Sequence, residues 1–128
     1  MAKKLLLLLL SIIFVFSACA KAPATNFETA NEKTFSLCIS VPSENSEKTT
    51  EYTSKYVNLG DFLEAEGLIE FEKSSYGRYL HSVDGISDNP DENLWWTVFV
   101  NGESALTGVD KIKLENGKEY KLELTKIE

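Results

Sequence analysis

One histidine, one acid-rich loop and one adjacent pair of tryptophans are the residues whose types and spacing could do chemistry in this 128-residue chain. His81 is followed directly by Ser82. Neighbours in a strand point to opposite faces, so the two do not form a hydroxyl–imidazole couple, and a structural or solvent-exposed histidine is expected. The run Asp84-Gly85-Ile86-Ser87-Asp88-Asn89-Pro90-Asp91-Glu92-Asn93 supplies oxygens that could take calcium. It lacks the alternating spacing and terminal Glu of an EF-hand loop and reads as a solvated connection. The sequence carries no glycine-rich phosphate cradle, no cysteine–histidine metal motif and no nucleophile elbow. The expectation is a non-enzymatic protein with no catalytic residue and no metal. Trp95 and Trp96 must face opposite ways if they lie in a strand. The one that is not core, with its neighbours two residues on, makes an apolar patch for a flat ligand or a partner surface, or else is covered by loops.

The other reactive groups are two thiols, Cys19 and Cys38. Lys3 and Lys4 precede the apolar runs Leu5–Leu10 and Ile12–Phe16, the charged and apolar regions of a secretory signal. The run is shorter than the roughly 20 residues needed to cross about 30 Å of hydrocarbon, so a permanent span is the weaker reading. Ser17 and Ala18 suit the narrow subsites of a signal peptidase, and the next residue is Cys19. The arrangement resembles the bacterial lipobox, with Phe16 where Leu is usual. It implies cleavage after Ala18 and acylation of Cys19, which would anchor the chain in the lipid bilayer on the extracytoplasmic face of the cell membrane. Ordinary cleavage near Ala20 is the alternative.

Loss of residues 1–18 removes two of the 13 basic residues and none of the 20 acidic ones, leaving a net charge of −9. Such a surface repels phosphate backbones, so nucleic acid is excluded as a partner. With Cys19 acylated, Cys38 has no disulfide partner, and stability must come from packing one modest core.

Residues 19–33 are rich in Ala, Lys, Thr, Asn and Glu and read as a flexible tether; residues 34–128 read as one domain. Phe35, Leu37, Ile39 and Val41 alternate with Ser36, Cys38 and Ser40, the period of a half-buried strand that places Cys38 opposite the apolar set. After a turn at Pro42–Glu47, Thr49–Val57 offers a second strand. Asn58 can cap a short helix from Leu59, with Asp61 in its first turn, Leu59, Phe62, Leu63 and Ala65 as its apolar stripe, and Gly67 as its stop. Leu68–Phe71, Tyr79–Val83, Leu94–Val100 and Tyr120–Ile127 are further strands, and Asp84-Gly85, Asn101-Gly102 and Asn116-Gly117 are tight-turn pairs. Two strands, one helix and then more strands predict an α+β, β-grasp-like mixed sheet with one short helix packed across it; an antiparallel meander is the competing topology.

The ordered series Leu59-Gly60-Asp61-Phe62-Leu63, Gly67-Leu68, Tyr76-Gly77-Arg78-Tyr79-Leu80, Val83-Asp84-Gly85-Ile86, Leu94 through Glu103, Leu106-Thr107-Gly108-Val109-Asp110 and Leu114 through Tyr120 spans most of the domain. It resembles the C-terminal β domain of the vitamin B12 carriers transcobalamin and intrinsic factor, and a related bacterial domain of unknown function. The resemblance implies that Trp96 lies with Val98 and Val100 on the core face, leaving Trp95, Thr97 and Phe99 on the other. It also implies that Leu106-Thr107-Gly108 is a ligand-proximal loop. In those carriers a helical domain forms the other wall of the corrinoid site, and that half is missing from this chain.

Two functions follow as expectations. One is a binding module that takes a small ligand, cobalamin or another corrinoid, through Trp95, Trp96, Phe99, Tyr76, Leu106, Thr107 and Gly108. The other is a structural or adhesive module whose patch or sheet edge docks an envelope protein. A third thought is presentation of the domain to a neighbouring transporter.

Overall fold

Phe35, Leu37, Ile39 and Val41 turn one way along β1 (Thr29–Val41), and all four are buried. The computed structural model describes residues 27–127; the segment read as a signal peptide, Cys19 and the first part of the segment read as a tether lie outside them. β1 pairs antiparallel with β2 (Ser46–Tyr56) and parallel with β8 (Glu119–Lys126). β6 (Leu94–Val100) then pairs antiparallel with β8, and the two-residue β7 (Glu103–Ser104) pairs with the end of β6. The five-stranded order is β2-β1-β8-β6-β7. The parallel β1–β8 pairing at its centre makes the sheet mixed and β-grasp-like and rules out a meander, in which every neighbour would be antiparallel.

A second sheet was not expected. β3 (Ile69–Ser74), β4 (Gly77–Val83) and the two-residue β5 (Ile86–Ser87) form a separate three-stranded antiparallel sheet. Hydrophobic period alone says which face of a strand is buried, and not which strand lies beside it. β1 also begins at Thr29, inside the segment read as tether, because its first residues find partners in β2: Thr29 stands opposite Tyr56, and Lys33 Nζ donates to the Tyr56 carbonyl at 2.7 Å.

The helix α1 (Leu59–Ala65) starts where Asn58 caps it. The Asn58 side-chain oxygen accepts from the Asp61 N–H at 2.8 Å, and its amide donates to Asp61 Oδ2 at 3.1 Å. Leu59, Phe62 and Leu63 are buried, whereas Ala65 is exposed and does not belong to the stripe, since the chain is already turning out through Gly67. We expect Asn58→Ala to cost about 1 kcal/mol of stability in denaturant unfolding, because a helix this short has little else to satisfy its first turn.

The core lies between the inner face of the large sheet, α1 and the small sheet. Rings meet edge to face there: Phe35 with Phe62 at 5.0 Å, Phe35 with Tyr120 at 5.6 Å and Tyr52 with Phe62 at 4.9 Å between centroids. Buried Tyr120 keeps its hydroxyl satisfied by donating to the Lys113 carbonyl at 2.8 Å and accepting from the Glu115 N–H at 2.9 Å. Burial holds that phenol above its ordinary pKa, so it remains a donor. Cys38 is a free thiol on the opposite face of β1, as its parity requires, yet it is buried. It stands between Thr49 of β2 and Lys121 of β8 in the ladder, where longer neighbouring side chains shield a small one. It is therefore a poor crosslinking handle.

Candidate functional site

Arg78 ties together the pieces that carry the site. It sits in β4 with its side chain only 11% exposed, although it is a cation. Its Nε donates to Glu64 Oε1 at 3.1 Å, Nη2 to Asp61 Oδ1 at 2.8 Å and Nη1 to Asp110 Oδ1 at 2.5 Å. Its guanidinium carbon lies 5.6 Å from the Phe27 ring and 5.4 Å from the Phe71 ring. Burial opposes the charge, but the carboxylates of Asp61, Asp110 and Glu64 outweigh it and hold the guanidinium above its ordinary pKa. One residue thus fastens β4 to α1 and to the 3-10 turn Val109–Lys111. Gly77 has φ of +102°, and a Cβ there would come within 2.8 Å of Asp110 Oδ2. Glycine is needed for both reasons.

Because Asp110 is held, the loop before it is held against the β3–β4 turn. A Cβ placed on Gly108 would lie 3.7 Å from the Tyr76 carbonyl, so the loop carrying Leu106, Thr107 and Gly108 is adjacent to the turn carrying Tyr76. Between this loop, β4 and the edge of β6 opens a cleft of about 290 Å³. Trp96, Thr97 and Val98 form one wall, Arg78, Tyr79 and Leu80 another, and Ser104, Ala105, Thr107, Gly108 and Val109 complete it. Trp96 is fixed by its indole N–H, which donates to the Ile86 carbonyl at 3.0 Å. At the adjoining turn and loop, Tyr76 is 86% and Leu106 is 99% exposed, a large apolar area for side chains with no packing role in the fold. Burial first, and then the nearby Asp88 carboxylate, raise the pKa of the Tyr79 phenol at the cleft wall; its hydroxyl lies 3.4 Å from Asp88 Oδ2.

Five of the seven residues singled out in the sequence are brought together. Trp96, Thr107 and Gly108 line the cleft, with Tyr76 and Leu106 beside it. Trp96, Val98 and Val100 pack against the core. Trp95 and Phe99 do not join them. Trp95 is half-buried with its ring 6.5 Å from that of Tyr79, and Phe99 carries Lys121 Nζ at 5.0 Å from its centroid on the far face of the sheet. The patch expected from these two is divided, since neither is freely exposed and a cation covers one of them. Arg78, Tyr79, Leu80, Ser104 and Ala105 were not singled out. Their place in the cleft comes from β4 of the second sheet and the segment after β7 lying beside the β6 edge, which no local pattern announces. His81 is half-exposed, with Nε2 at 3.0 Å from Glu72 Oε2 and Nδ1 at 3.8 Å from Asp88 Oδ2. The two carboxylates flank different ring nitrogens, which is a pairing and not a shared metal. Among the described residues no group of three or more His, Cys, Asp or Glu converges to hold a metal.

A family model described as a domain of unknown function (DUF4430) matches residues 56–126. No curated protein matches the sequence. Among solved structures, a candidate metal-binding protein from Ruminococcus gnavus superposes with a TM-score of 0.71 at 24% identity, over 75% of this chain and 99% of that one. Haptocorrin in complex with Cbi superposes with a TM-score of 0.63 at 17% identity, over 82% of this chain but only 28% of that one. At these identities the likeness is one of fold.

Proposed function

The chain belongs to the family described as domain of unknown function (DUF4430), and we propose that it is a non-enzymatic binding protein whose cleft between β4, the β6 edge and residues 104–109 takes a small organic ligand. A corrinoid is the leading class. The observation that carries the reading is the cleft itself, of mixed polar and apolar lining, with Trp96 on its wall and Tyr76 and Leu106 standing unpacked beside it. The fold shared with haptocorrin, a protein crystallised with Cbi, supports the corrinoid version. The metal-binding description of the R. gnavus protein finds less support, because no set of metal ligands converges among the described residues. Acylation of Cys19 would place the protein on the extracytoplasmic face of the membrane, with residues 20–28 as the link to β1 and the domain following. The volume of about 290 Å³ is at the small end for a ligand site, so a whole corrinoid would be gripped by one part and left open elsewhere.

The direct test is absorbance titration of the full chain with cobinamide and cyanocobalamin. Saturable perturbation is expected in the micromolar to millimolar range, and no change at millimolar ligand would end the corrinoid reading. Gly108→Ala sharpens it. The contact a Cβ would make at 3.7 Å is ordinary, so the melting temperature should be nearly unchanged, within about 0.5 kcal/mol of stability. Because Gly108 itself lines the cleft, the added methyl group should nevertheless weaken cobinamide binding severalfold.

A further inference from the structure

The backbone of β6 changes partners along its length, and at the cleft it has none. Leu94 exchanges both backbone hydrogen bonds with Asn89, at 2.9 and 3.0 Å, on the side of the strand away from β8. Val98 turns the same way, its carbonyl accepting from the Ala105 N–H at 2.9 Å. Asn93 and Asn101 point to the other side, where the Asn93 carbonyl accepts from Ile127 at 2.9 Å and the Asn101 N–H donates to Glu119 at 2.7 Å. Successive residues of a strand direct their N–H and C=O to alternate sides, so Trp96 must face the same way as Leu94 and Val98. It stands opposite Leu124 in β8 as a non-hydrogen-bonded pair, and β7 reaches only Phe99 and Val100. Among the described residues, nothing pairs with the Trp96 N–H, the Trp96 C=O or the Val98 N–H. These three groups open into the cleft that Trp96, Thr97 and Val98 line.

We infer that this gap in the ladder is the recognition element of the cleft and that it reads a carboxamide carried by the ligand. A carboxamide sets a carbonyl acceptor and an N–H donor side by side, which complements the N–H and C=O that one residue presents on a strand edge. The Val98 N–H supplies a second donor one step along. An extended peptide could offer the same groups, but the gap is closed at both ends, by the Asn89–Leu94 bridge and by the Ala105–Val98 bond. A strand that continued past Trp96 would meet one of them, whereas a single amide at the end of a side arm would not. Thr107 and Ser104 lie across the cleft, and Trp96 is kept in register by its indole bond to Ile86. The inference rests on the proposed cleft, and it specifies a chemical group and not a whole ligand.

The test follows the backbone N–H resonances of the nitrogen-15-labelled full chain during titration with butyramide, and separately with N,N-dimethylbutyramide, which keeps the carbonyl and loses the donor. For a ligand of this size, affinities of roughly 10–100 mM are expected. Butyramide should shift Trp96 and Val98 saturably, and the dimethyl compound should bind about fivefold more weakly for want of one hydrogen bond. Equal affinity for the two compounds, shifts that leave Trp96 and Val98 unmoved, or no shift at all would each overturn the inference. Tighter binding of a capped tripeptide at the same residues would overturn it in favour of strand docking. Butyramide shifts without cobinamide binding would retain the amide slot and discard the corrinoid. Cobinamide binding that leaves Trp96 and Val98 unmoved would do the reverse.

Discussion

Arg78→Met is expected to lower the unfolding free energy by about 3 kcal/mol, which for a domain of this size is a fall in melting temperature of roughly 12–24 °C. The reason is less the loss of attraction than what is left behind. Asp61, Glu64 and Asp110 have side chains 14%, 28% and 32% exposed, and all three lean on the one guanidinium. Without it, three partly desolvated carboxylates face one another with no countercharge. Arg78→Lys should recover only part of the loss, because an ammonium cannot present the planar fork that serves three acceptors and lies between the Phe27 and Phe71 rings. The distinguishing measurement is a combined variant, Arg78→Met with Asp61→Asn, Glu64→Gln and Asp110→Asn. If unpaired charge is the cause, removing the charges should restore a large share of the stability. If the variant melts as low as Arg78→Met alone, packing of the arginine stem is the cause instead. Because Asp110 fixes the loop of residues 104–108, Arg78→Met should also weaken cleft binding at temperatures where the protein is still folded.

Phe62→Ala is expected to cost about 3–5 kcal/mol, comparable to or larger than the arginine change. Phe62 is buried at 1% exposure and meets two other rings, Phe35 and Tyr52, edge to face. Truncation removes both contacts and leaves a cavity that β1 and β2, held by their own ladder, cannot collapse to fill. Phe62 is also on α1, between Asp61 and Glu64, and the helix has only seven residues. Both substitutions loosen the same helix, so their costs should not add. Chemical denaturation of the double variant should give a loss smaller than the sum by about 1 kcal/mol or more. Full additivity would mean that the arginine cluster and the ring cluster hold α1 independently.

These effects bear on what could be read without coordinates. The first strand, the helix cap and the positions of β6 and β8 follow from periods and turn residues that act within a few positions of one another. Asn58 caps α1, and β6 runs from Leu94 to Val100 as the apolar run indicates. Asp84-Gly85 and Asn101-Gly102 both take left-handed backbone at their turns, while at Asn116-Gly117 only the glycine does. The ordered series of short motifs carried the resemblance to the B12-carrier β domain, and the fold agrees with it. The core-facing side of Trp96 follows from that resemblance and not from the period alone, since two adjacent tryptophans satisfy alternation either way.

Legible in the residues alone are an acidic chain with a signal-like beginning, only two cysteines, and a β-rich domain whose strands each have one apolar side. Local propensity, capping and alternation are short-range, so they were written residue by residue. Packing in three dimensions alone separates β3, β4 and β5 from the main sheet with β4 beside the β6 edge, gathers carboxylates from two other elements onto Arg78, and sets Trp95 and Phe99 apart from Tyr76 and Leu106. Strand parity gives a side chain its face but not its neighbour across a cleft. Neighbours come from the packing of two sheets on one shared core, and there the deciding contacts are made between residues 14 to 32 positions apart in the case of Arg78.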